Sequence, residues 1–284
     1  MAVGAAGLAY LGPGWAAAAL AAGAAGAAFV AGRWSAPPTG QPDPGARDAL
    51  ERARGHVTRA REERDQLQST LAHDLRSPLG AIVNFASVLE EDHRDRLDPE
   101  ARGVVARMRR AAENALRLAD GLSRLTRVSR QPATRQRVEI EPLVREAFAS
   151  IAPGRPVELS IGELPPAFAD RALLAEAFGE LLENAVKFSG HREKPRIAVG
   201  GRREADGRLV YWVADDGVGF PPEAGERLFR AFERLHGRDA FPGAGIGLAV
   251  VQRALERLDG AVWAEGDPER GARFFLSLPR EAAA

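Results

Sequence analysis

Cysteine is missing from all 284 residues, which excludes disulfides, a thiolate nucleophile and thiolate-bound zinc. An excess of charge of either sign is missing too: Lys plus Arg and Asp plus Glu each number 39. No global field therefore draws the chain to nucleic acid or to an anionic surface, and no basic run is dense enough to replace one, so no nucleic-acid partner is expected. Lysine is nearly absent, and one of the two, Lys187, falls inside a motif. Against these absences stands an apolar fraction of 45%, enough for real cores in one large or two modest domains.

Charge is also absent from the start of the chain. Met1 to Gly32 carry no charged side chain, and Arg33 and Trp34 close the segment. At about 1.5 Å per residue such a length crosses a bilayer core of about 30 Å, with a basic and aromatic flank on the cytoplasmic side. The run is mostly Ala and Gly, and Gly12-Pro13-Gly14 interrupts it, which leaves Trp15 to Gly32 as the best span. A cleaved signal peptide lacks its basic n-region here. Residues 1–34 are thus expected to anchor the protein in the cell inner membrane, with everything after them cytoplasmic. The alternative is a low-complexity leader on a cytoplasmic protein.

Residues 35–47, rich in Pro, Gly and small polar side chains, suit an extended linker. Over 48–70, Leu50, Ala53, Val57, Ala60 and Leu67 recur at heptad-like spacing and read as a coiled-coil stem. The pattern runs on through Leu71, Leu75, Leu79, Ile82 and Leu89, stops at Asp92 to Asp98, and resumes where Asp98 can cap a helix that Pro99 opens. A second apolar face follows from Val104 to Val128. Residues 64–131 therefore read as an antiparallel helical hairpin with a wet apolar stripe, which a second copy would cover to make a dimeric four-helix bundle. After Gln131-Pro132 the texture changes. Helices are expected at Pro142–Ser150, Arg171–Phe188 and Ile246–Leu258, and strands at Val157–Ile161, Ile197–Val199, Leu209–Ala214, Ala261–Ala264 and Phe274–Leu278. The fold class is multidomain: an all-α dimerisation hairpin followed, over 137–280, by an α+β two-layer sandwich.

Four motifs carry chemistry, in a fixed order. His73-Asp74-Leu75-Arg76-Ser77-Pro78 puts an imidazole on the rim of a helix whose apolar face is Leu71, Leu75 and Leu79. To attack phosphorus one ring nitrogen must be bare while the other keeps its proton, and Asp74 is placed to fix that tautomer. Pro78 should kink the helix just beyond. Glu180 and Asn184, one turn apart on a largely apolar helix, offer hard oxygens suited to Mg²⁺ shared with a triphosphate, and Lys187 can meet the phosphate charge. Asp215, at the end of an apolar strand and before Gly217 and Gly219, can accept from an adenine amino group while the glycines let backbone approach the base. Gly243, Gly245 and Gly247, leading into Leu248, open a helix whose first N–H groups bind phosphates. Between them Leu228-Phe229-Arg230-Ala231-Phe232 reads as part of a lid. Each motif alone has a plain structural reading: a solvated His-Asp pair, an i,i+4 polar face, a turn, a hinge or a surface helix.

In this order the motifs resemble those of the sensor histidine kinase family, over about Arg64 to Pro279. Arg234 to Arg238, Gly243 to Leu248 and Trp263 look most like its phytochrome-like branch. The resemblance implies an ATP-dependent histidine autokinase of a two-component system. His73 would be the phospho-acceptor, Asp74 its polarising acid and Asn184 the Mg²⁺ ligand. Lys187 would contact phosphate and Asp215 would bind adenine; Gly217, Gly219, Phe229, Gly243, Gly245, Gly247 and Leu248 would shape the ATP pocket. A homodimer and a separate response regulator receiver domain would be its partners. Three residues depart from the family pattern. Glu180 stands where another Asn is usual, as a second metal ligand or, as in gyrase-type ATPases, a base for water. Ala272 replaces a frequent hydroxyl. Ser77, which could hold water for a phosphatase reaction, stands where Thr or Asn is more common. The rivals are an ATPase that uses Glu180 and a degenerate scaffold that signals by dimer contacts alone.

Overall fold

The computed structural model describes residues 70–235, 241, 243–268 and 270–280. All lie in one compact unit, Arg64–Ala284. The expected span, the linker and the stem up to residue 69 lie outside the described residues. Among the described residues no helix is long and apolar enough to cross a membrane.

Helix α1 covers residues 70–91 and runs unbroken through Pro78, so the proline does not end it; any bend it introduces costs no helical assignment. A 3₁₀ turn, Arg94–Arg96, leads to α2, Pro99–Arg130. Asp98 caps α2 by accepting from the Ala101 N–H at 2.7 Å, and Pro99 takes the first turn, where no donor is needed. Along α2 the buried Val105, Ala112, Ala119 and Thr126 recur every seven residues, and Ala72 and Ala86 are buried on α1. Small side chains at heptad spacing let two helices pack closely. Arg76 reaches Asp120 at 2.6 Å and Arg109 reaches Glu90 at 2.8 Å, pairs that fix the antiparallel register. Leu71, Leu75, Ile82, Phe85, Val88, Leu89, Val104, Met108 and Leu118 remain exposed on the hairpin.

Beyond it, β1 (Gln136–Val138) pairs antiparallel with β3 (Ala167–Ala169). The main sheet holds β2 (Glu158–Ile161), β4 (Arg196–Arg203), β5 (Leu209–Asp215), β6 (Ala261–Asp267) and β7 (Gly271–Leu278), in the order β2-β4-β5-β7-β6. Only the β2–β4 pairing is parallel. Helices α3 (Ile140–Ile151), α4 (Arg171–Phe188) and α5 (Gly247–Arg257) complete the layer. Helix α4 packs between α3 and α5 and lies on β5. It carries the most buried face: Leu173, Leu174, Ala177, Phe178, Leu181 and Leu182 are each at most 1% exposed, against Tyr211 and Val213 of β5 in the same core. The other side of the sheet has its own order, since Trp212, Phe275 and Trp263 stand in one cross-strand row, the last two rings stacked at 5.0 Å.

The two-layer class and the hairpin follow the expectation from sequence. The short strands β1 and β3 do not, because three residues carry too little alternation to register. Asp170 locks this corner: it caps α4 through the Leu173 N–H at 3.0 Å and accepts from the Thr134 N–H at 2.8 Å. Phe178 sits edge-on to Tyr211, with ring centroids 5.9 Å apart. Its replacement by Ala opens a cavity at the centre of the core, and urea unfolding should show a loss of about 3–5 kcal/mol.

Candidate functional site

Between α4, the end of β5 and the start of α5 lies a cavity of about 380 Å³. Glu180, Asn184 and Lys187 reach it from one face of α4, Asp215 from the end of β5, and Gly243, Gly245, Gly247 and Leu248 from the approach to α5 and its first turn. Gly219, Phe220 and Leu228 complete the wall on the lid side. Three of the four sequence motifs and part of the lid segment, spread from Glu180 to Leu248, thus border one space.

Asp215 ends β5 with its carboxylate 7% exposed. Its Oδ1 accepts from the Gly217 N–H at 2.9 Å, so Gly217 serves the carboxylate and does not line the cavity. Burial nonetheless pushes the Asp215 carboxyl up to about 7, with the Gly217 and Ala272 amides pulling it back in part. Gly271, at φ +99°, lets β7 begin against the Asp215 carbonyl, where any Cβ would collide. Gly247 brings α5 close over α4: a Cβ there would strike the Glu180 carboxylate and push that side chain aside.

Lys187 donates to Asn184 Oδ1 at 3.0 Å and lies 4.1 Å over the Phe188 ring. Burial lowers its pKa and nearby Glu183 opposes that. Glu180 is 7% exposed and forms an ion pair with Arg124 of α2. Burial raises its pKa, with Arg124 acting in the other direction. Arg124 thus reaches the Glu180 carboxylate from the hairpin, and both groups are withdrawn from solvent at the contact. A buried carboxylate one turn from an amide oxygen is a donor set that fits Mg²⁺, which takes few protein ligands and completes its shell with phosphate and water. Among the described residues there is no cluster of three or more His, Asp or Glu that would hold a metal unaided.

The lid is tied down more than its composition suggests. Arg227–Phe229 forms a 3₁₀ turn, the Phe232 N–H donates to the Gly245 carbonyl at 2.7 Å, and Arg234 donates to the carbonyls of Phe241 and Gly243. Phe229 corrects the sequence expectation. It is buried in the core at 7% exposure while its neighbour Leu228 faces the cavity, because a three-residue turn directs successive side chains to different sides.

His73 stands apart, on α1, with its side chain 81% exposed and Nδ1 3.4 Å from Asp74 Oδ1. Ser77, one turn on, is exposed as well. Three cavity residues were not anticipated: Arg117, Asp120 and Arg124 line it from α2. Their i, i+3, i+7 spacing puts them on one helix face, a signal that in sequence is indistinguishable from a solvated charged stripe.

Residues 63–131 match the His Kinase A (phospho-acceptor) domain, and residues 169–282 match the histidine kinase-, DNA gyrase B- and HSP90-like ATPase. The chain is 31% identical over 211 residues to the phytochrome-like protein Cph1 of Synechocystis, covering 73% of this chain and 28% of Cph1. It is 32% identical over 242 residues to the methanogenesis regulatory histidine kinase FilI of Methanothrix harundinacea, covering 82% of this chain and 26% of FilI. The chain therefore spans about a quarter of the length of these relatives. Among solved structures, full-length ShkA in complex with AMPPNP superposes with a TM-score of 0.55 at 30% identity, over 77% of this chain and 47% of ShkA.

An aspartate whose folded value lies above its unfolded one, about 3.9, binds its proton more readily when folded. The stability it lends is therefore complete at pH below about 4 and is lost as pH rises through about 7. Thermal unfolding of the nucleotide-free protein at pH 5 and pH 8 checks this. Wild type should lose a few kcal/mol over that interval relative to Asp215→Asn, which keeps an oxygen for the Gly217 N–H and carries no charge.

Proposed function

The chain belongs to the sensor histidine kinases, and from that premise we propose that it phosphorylates its own His73 from ATP and passes the phosphoryl group to an aspartate on the receiver domain of a separate response regulator. The observation that carries this reading is the division of labour between its parts. One cavity gathers Asn184, Lys187, Asp215 and both glycine turns, while the imidazole stands in solvent on another element beside a carboxylate.

In this reading the adenine amino group donates to the Asp215 carboxylate, and the flanking glycines admit the base. The triphosphate lies toward the start of α5, whose first N–H groups and positive helix end favour anions, with Lys187 adding charge. Glu180 and Asn184 would hold Mg²⁺, which supplies neutralisation of phosphate charge. Asp74 keeps the proton on His73 Nδ1, so the Nε2 lone pair is the nucleophile. The Nε2–P bond forms as the bond from phosphorus to the bridging oxygen breaks. ADP leaves with that electron pair, and the ring proton is shared with Asp74. Catalysis of this step comes from positioning and charge stabilisation. Transfer to the receiver then breaks the N–P bond and leaves an acyl phosphate on the regulator.

The exposed apolar stripe of the hairpin, from Leu71 to Leu118, supports a homodimer in which a second copy covers it. Attachment to the inner membrane through residues 15–32, with the kinase on the cytoplasmic side, belongs to the same proposal and rests on the composition of that segment.

Incubation of the full chain with γ-labelled ATP tests the chemistry. Acid-labile, base-stable label should appear in wild type and vanish in His73→Gln, and Asp215→Ala should lose nucleotide binding. Free phosphate without bound label would instead support hydrolysis of ATP with Glu180 as the base for water. For the dimer, Phe85→Glu buries a charge in the expected seam, and light scattering should report a shift from dimer toward monomer.

A further inference from the structure

We propose that Arg124 is a latch released by nucleotide: a side chain of the phospho-acceptor hairpin that reaches into the ATP cavity, holds Glu180 while no nucleotide is bound, and gives it up when Mg-nucleotide arrives. The proposal rests on Glu180 being a metal ligand, as above. Arg124 is the only basic side chain within ion-pairing distance of Glu180 among the described residues, and it comes from α2, not from the ATP-binding layer. The carboxylate cannot serve both partners. Its Oε2 already lies against Gly247 and its Oε1 faces the guanidinium, so a metal bound at Glu180 competes directly with Arg124.

Other polar contacts of α2 and its C-cap with the ATP-binding layer avoid the cavity. Arg127 pairs with Glu176, Arg253 donates to Ser129 Oγ at 2.9 Å, and Arg257 donates to the Gln131 carbonyl at 2.7 Å. Those bonds can persist whatever the nucleotide state, whereas the Arg124–Glu180 pair lies where the ligand must go. One turn earlier, Asp120 lines the same cavity and is bonded to Arg76, three residues after His73. The face of α2 that carries Arg124 is thus joined to the helix bearing His73, and release of Arg124 removes the tie that runs through the cavity while the others hold.

The test is equilibrium binding of a fluorescent ATP analogue to the full chain, in Mg²⁺ and in EDTA. Arg124→Gln should tighten binding in Mg²⁺ by roughly fivefold, within the coupling usual for contacting residues, and should not tighten it in EDTA. Arg124→Lys, which keeps the charge, should stay near wild type. Glu180→Gln should abolish the gain from Mg²⁺ in either Arg124 background. If Arg124→Gln leaves the Mg²⁺ gain unchanged, or weakens binding equally in both conditions, the latch is wrong while the metal assignment stands. If Glu180→Gln keeps the full gain, Glu180 is not a metal ligand and the latch falls with that reading.

Discussion

Two carboxylates buried in one cavity, Asp215 and Glu180, set the terms for everything around them. Burial raises the pKa of both, which is to say that the fold holds them charged only at a cost. The groups sit on well-packed parts of the fold. Asp215 ends a strand flanked by partners on both sides, and Glu180 sits on the helix that supplies the core. The glycines then bring backbone to them: Gly271 beside Asp215, and Gly247 beside Glu180. A well-packed core thus holds buried polar groups in a preformed site, which is what a charged ligand can exploit.

The proposed acceptor has the opposite requirement. In the reaction proposed above the imidazole attacks phosphorus and later surrenders the phosphoryl to another protein, so it must be reachable twice, and His73 is exposed. A shielded donor and an exposed acceptor cannot share a pocket, so they occupy separate elements that have to meet. The contact surface of α2 is where this is managed. Gly121 lets Ile246, at the cavity, pack directly against the hairpin, since any Cβ there would lie 2.8 Å from the isoleucine side chain. Arginines then tie the two parts together with bonds that are polar and exchangeable, unlike a sealed apolar interface.

How much of this was legible in the sequence varied with the length of the signal. Helix α4 has the bounds Arg171–Phe188 expected from its apolar period, because eighteen residues and an aspartate cap leave little ambiguity. The hairpin was equally plain, down to the Asp98 cap. The five strands of the main sheet were found, β2 read one residue too long and the other four too short, since the missed ends of β4, β6 and β7 carry Gly, Arg, Glu and Asp, which look like loop in one dimension. The site motifs were recognisable because phosphate and adenine chemistry demands particular residue types at fixed spacing. What could not be read was anything set by tertiary contact. Arg117, Asp120 and Arg124 are ordinary helix-surface charges until the ATP-binding layer is laid against them. Leu228, not Phe229, faces the cavity because of the pitch of one short turn.

Peptide mapping by tandem mass spectrometry under alkaline conditions, on the full chain after brief exposure to Mg-ATP, bears most directly on the transfer of a phosphoryl group from the buried cavity to the exposed imidazole. The expected result is phosphate on the peptide containing His73, localised to its ring and absent when Asp215 is replaced by Ala. Phosphate confined to other side chains, or none anywhere while ATP is consumed, would contradict it.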